Sequence, residues 1–108
     1  MENEGIAETL KTVPREKAFY FFTSIGNYTG ESASSLTEFM DKINIINVKS
    51  LEFHFQRGDF EKWISEVLQD EELSEEFRNL HKLNLAGESL RSHLYATVLA
   101  HIKRIRAK

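Results

Sequence analysis

Cysteine is absent from the 108 residues. That removes disulfides, thiol nucleophiles and thiolate metal sites at once, and it favours a cytoplasmic protein. No apolar run is long enough to cross a bilayer, so no membrane is expected. The first residues, MENEGIAETLKTVPREK, are acidic and polar before their basic ones, unlike a secretory signal. Excess positive charge is also missing: the net charge is -3, which argues against a general nucleic-acid binder. Internal repeats and low-complexity segments are lacking. What remains is 41% hydrophobic and 29% charged residues, enough for one domain with a core and a charged surface.

Residues 1–17 hold few apolar anchors. Ile6, Leu10 and Val13 suit a frayed helical turn that Pro14, the single proline, would stop. This segment is expected to be loosely ordered, with residues 18–108 forming one helical domain. Ala18-Phe19-Tyr20-Phe21-Phe22 is an aromatic run without helical spacing, which reads as a buried, extended strap across helices. Gly26-Asn27-Tyr28-Thr29-Gly30 reads as a connecting loop. As a phosphate loop it is poor, since no Lys-Ser/Thr follows its second glycine.

Five helices are then expected. Ser35 and Glu38 fit a capping box before Leu36, Phe39, Met40 and Ile43. Val48–Gln56 fits strand alternation and helical spacing alike, and the neighbouring pattern favours a short helix. Asp59 is placed to cap a helix that buries Phe60, Trp63, Ile64, Val67 and Leu68 and runs to about Gln69. Asp70 caps the next, with Leu73, Phe77 and Leu80 on its apolar stripe. Gly87-Glu88-Ser89 opens the last, whose inner row is Leu90, Leu94, Val98 and Ile102. The fold class is therefore mainly α, a compact bundle of about five helices with an N-terminal extended aromatic segment.

Chemistry is thinly marked. His54, His81, His93 and His101 include no pair at i, i+4, and there is no HExxH. A metal site would need residues converging in three dimensions, so neither metal nor cofactor is expected. There is no nucleophile elbow and no paired-carboxylate motif. The candidate ligand-binding residues are His54, Arg57, Trp63 and Tyr28, with no catalytic residue assigned. The short step Phe55–Gly58 keeps His54 and Arg57 beside the start of the Asp59 helix, where an anion would meet a guanidinium and a positive helix end. The capping carboxylate of Asp59 would oppose it. The basic tail, Lys103, Arg104, Arg106 and Lys108, reads as surface matched to a helix C-terminus.

Taken in order, these residues resemble an uncharacterised family of small archaeal and bacterial domains of unknown function. The likeness rests on AFYFF, Thr29-Gly30, Leu36 to Phe39, Ser50 with His54 four residues on, Asp59-Phe60-x-x-Trp63, and Asp70-Glu71-Glu72-Leu73. It covers about Ala18 to Leu80. Longer relatives carry further histidines between the His helix and the Asp-Phe step. Here Gln56-Arg57-Gly58 joins the two directly, so no polyhistidine site is implied. The resemblance implies a prokaryotic helical domain and brings no activity. Function is expected to be a non-enzymatic interaction or regulatory module, its partner a protein or a second copy of itself. The alternative is a small anion-binding, ligand-binding or catalytic domain built on His54 and Arg57.

Overall fold

The computed structural model describes residues 9–107. The aromatic run is strand β1, Phe19–Ser24, and it pairs antiparallel with β2, Asn27–Ala33. This corrects two expectations: the segment is not a lone strap, and the Gly-rich stretch after it is a strand. Most of β2 is exposed or half-exposed, so it carries no apolar alternation that would have marked it. Ile25-Gly26 makes the turn, with Gly26 at φ +79. The register jumps between Tyr20↔Ser32 and Phe22↔Tyr28, where β2 bulges. Gly30 at φ +90 and the Thr29 hydroxyl, donating to the Phe21 carbonyl at 2.8 Å, shape that bulge. Along β1, Phe19 and Phe21 are buried while Tyr20 and Phe22 are half-buried.

Five α-helices follow: α1 Leu36–Ile45, α2 Val48–Arg57, α3 Asp59–Glu66, α4 Glu71–Leu80 and α5 Gly87–Ala107. The fold is mainly α, as expected. Ser35 caps α1 by accepting from the Glu38 amide, and Glu38 reaches back to the Ser34 amide, one residue further than a simple box. Asn47 caps α2 through the Lys49 amide. Asp70 caps α4 through the Leu73 amide at 3.0 Å.

The join between α2 and α3 differs from expectation. Gly58, at φ +77, ends α2 by donating to the carbonyls of His54 and Phe55, and the same residue is the N-cap of α3. Asp59 is the first residue of α3 and does not cap it. With one residue between the helices, a left-handed glycine makes the turn. The Asp59 carboxylate is drawn instead to α2. Helix α3 also stops at Glu66, short of Gln69, which has φ +57.

The core is centred on rings. Phe60 lies 5.2 Å from Phe19 and 5.3 Å from Phe39, centroid to centroid, with Phe77 at 6.2 Å. From α5, Leu90, Leu94, Val98 and Ile102 are all buried against this cluster. Residues 1–8 of the segment expected to be loose lie outside the described residues. Of the rest, Val13 is buried and donates its amide to the Ser34 carbonyl at 2.7 Å, and the Thr9 hydroxyl donates to Asp70. No helix among the described residues is long and apolar enough to cross a membrane.

Candidate functional site

A groove of about 360 Å³ opens between the hairpin and α2. The hairpin contributes Phe19, Tyr20, Phe22, Ile25 and Gly26, α2 contributes Phe53, His54 and Arg57, and Asp59 from the start of α3 also lines it. Phe19 and His54 meet edge to face beneath it, 4.8 Å between centroids. The groove exists because two sequence features coincide. The Gly26 turn projects the hairpin tip, and the Gly58 turn brings Asp59 back to the end of α2.

His54 is the structural centre of this region. Its Nε2 accepts the backbone N–H of Phe22 at 2.8 Å, and its Nδ1 donates to Asp59 Oδ2 at 2.8 Å. A ring nitrogen that accepts an amide proton carries none of its own, so the imidazole is neutral with its proton on Nδ1. Burial pushes its pKa below the ordinary 6.5, outweighing the Asp59 carboxylate that favours the charged form, and Arg57 adds to the lowering. Arg57 donates Nε to the same Asp59 oxygen at 2.9 Å and lies 5.0 Å over the Phe53 ring. Both nitrogens of His54 are engaged within the fold, so neither is free to exchange a proton with a ligand in the groove.

A pH prediction follows. Because the folded pKa lies below the unfolded value, the unfolded chain takes the proton first on acidification. The contribution of His54 is therefore complete above about pH 6.5, and declines as pH falls from there toward its folded pKa. Ring NMR should show His54 titrating below 6.5, and His54→Gln should remove that part of the stability profile. A midpoint above the ordinary value would contradict the neutral assignment.

The other candidates fall elsewhere. Trp63 is 7% exposed, and its Nε1 donates to the Lys17 carbonyl at 2.8 Å. It belongs to the core and does not line the groove. Tyr28 is 47% exposed on β2 and borders the groove through Phe22, 5.4 Å between centroids. Sequence reading passed over Phe22, Ile25 and Phe53 as lining residues. Their signal was present only as an aromatic run beside a turn. Arg57-Gly58-Asp59, which also spells an integrin-binding tripeptide, has its Asp59 carboxylate engaged by His54 and Arg57.

A second polar cluster joins α4 and α5. His101, 2% exposed, donates Nε2–H to Asp70 Oδ2 at 2.7 Å, and its Nδ1 accepts from Arg104 at 2.9 Å. Arg104 also donates to Glu76 at 2.7 Å and lies 3.6 Å from Glu72. Burial raises the Asp70 pKa, but the bonds from His101, the Leu73 amide and the Thr9 hydroxyl outweigh it and hold the carboxyl below its ordinary 3.8. Arg104, read from sequence as part of a solvated basic tail, thus pairs back onto α4.

No curated protein matches the chain, and no solved structure does. Residues 2–99 match a family of unknown function, DUF5752. With the match spanning nearly the whole chain, from before the hairpin to the middle of α5, the protein belongs to that family.

Proposed function

We propose that this protein is a non-enzymatic interaction module whose hairpin–α2 face receives an apolar side chain of a partner protein. The observation that carries this reading is the groove itself. Ile25 stands 83% exposed at its lip and Tyr28 47% exposed beside it. Phe22 and Phe53 form the sides. Exposed aromatic and aliphatic residues around a concave apolar site supply the anchor-in-pocket geometry of protein interfaces. The polar groups nearby favour binding over chemistry, since Asp59 neutralises Arg57 and fixes the His54 proton. The same pairing weakens the anion-binding alternative, because the guanidinium and imidazole already face a carboxylate. The absence of cysteine and the likeness to archaeal and bacterial domains support a cytoplasmic, prokaryotic setting.

Peptide display against the immobilised protein tests this. Peptides sharing one apolar anchor should be enriched, and their binding should be lost in Ile25→Asp and Phe53→Asp. Amide shifts should centre on Phe22, Ile25, Phe53 and Arg57. Self-association abolished by the same two substitutions would identify the partner as a second copy. Enriched peptides that bind both variants as well as the parent, or no enrichment together with a monomer at all concentrations, would overturn the proposal.

A further inference from the structure

We propose that Glu72, Glu76 and His101 form a site for a divalent transition-metal ion of the zinc class, with the guanidinium of Arg104 holding the cation position in its absence. The three residues each offer a ligand atom, and these atoms lie within 4.8 Å of one another. Glu72 and Glu76 stand one turn apart on α4, and His101 comes across from α5.

Several independent features fit a metal better than a plain ion pair. His101 is oriented as metal-binding histidines are: its Nε2–H is fixed on a buried carboxylate, Asp70, which leaves the Nδ1 lone pair directed at the Arg104 guanidinium, the same cation that Glu76 and Glu72 face. Asp70 is itself held by the Leu73 amide and the Thr9 hydroxyl, so the ring has little freedom to turn. A cation already occupies the position, with Arg104 Nη2 at 2.9 Å from His101 Nδ1 and 2.7 Å from Glu76 Oε2. Two carboxylates and a neutral imidazole balance a doubly charged ion, whereas one guanidinium leaves a net negative charge. Arg104 is half-exposed and can move to solvent when displaced. A groove of about 430 Å³ along Ala96, Thr97 and Ala100 borders Glu76 and Arg104, so solvent reaches the cluster on the Glu76 side. One imidazole with two carboxylates suits zinc-like ions over calcium or magnesium, which favour oxygen-only shells. The family match ends at residue 99, before His101 and Arg104, so family membership carries no support for the site.

The test is a Zn²⁺ titration of the full chain, free of any affinity tag, by calorimetry, with Co²⁺ visible absorption as a second readout. One saturable equivalent is expected, and it should perturb the His101 ring in NMR spectra. Glu76→Gln and Glu72→Gln, both on the helix surface, should each weaken binding roughly tenfold or more. Arg104→Gln should tighten it, because a competing cation is removed. His93→Gln, at an exposed histidine on the same helix, should leave it unchanged. His101→Ala alone is a poor probe, since it orphans Asp70 in the core. If Zn²⁺ shows no saturable binding, if binding survives both glutamate changes, or if it is lost in His93→Gln, the site is not there. Arg104→Gln binding no tighter than the parent would show that the guanidinium is only a clamp between α4 and α5.

Discussion

Phe60→Ala should destabilise the fold by about 3–5 kcal/mol, among the largest effects of any single truncation in this chain. Phe60 is fully buried, and its ring faces Phe19 from the hairpin, Phe39 from α1, His54 from α2 and Phe77 from α4. Removing it opens one cavity against four elements. None can close alone without losing its other contacts, so little relaxation is available. Against a typical total stability of about 5–15 kcal/mol, the variant would be marginal or unfolded. Phe60→Leu keeps most of the volume and should cost much less. Urea melts with a common slope give the comparison. Equal stability of the Ala variant and the parent would show that the ring cluster is not the centre of the core.

The second large effect is at Asp70. Its carboxylate caps α4, accepts from His101 Nε2–H and accepts from the Thr9 hydroxyl. Asp70→Ala leaves a buried neutral imidazole N–H without its acceptor, which should cost about 1–3 kcal/mol, on top of the roughly 0.5–2 kcal/mol of the lost cap. Asp70→Asn separates the two roles. Its carbonyl can still cap, but its NH₂ then meets the N–H of His101, donor against donor. His101 cannot simply change tautomer, because Arg104 donates to its other nitrogen. Asn should therefore fall well below the parent, and an Asn variant as stable as the parent would reduce Asp70 to a cap. The sign with pH follows from the lowered pKa. The contribution is present above the ordinary carboxylate value and is lost as pH falls through the folded pKa. Urea melts on the acid limb should accordingly be flatter for Asp70→Asn.

Local signals carried much of the fold. The inner row of α5 from Leu90 to Ile102, the Ser35 and Asp70 caps and the helical choice for α2 were readable because each depends on residues within a turn or two of one another. The nearness of His54, Arg57 and Asp59 was also legible, since only four residues separate His54 from Asp59. What those residues do there was not. Asp59 fits a capping position by sequence, and the alternative acceptor role appears only once α2 and α3 fold back at Gly58. Strand β2 was missed for a different reason: its face is largely in solvent, so no apolar alternation records it.

By itself, then, the sequence determined the helical class, most helix boundaries and the apolar stripes, because periodicity and caps are short-range properties of the chain. The tertiary structure decided the chemistry. The groove needs the tip of one hairpin beside the end of one helix. The Glu72–Glu76–His101 cluster needs two glutamates, 29 and 25 residues before His101 in sequence, brought beside it by the packing of α5 on α4. The protonation of His54 is set by a backbone amide 32 residues away. Distances of this kind are fixed by burial and packing among several elements at once, and no local pattern along the chain encodes them.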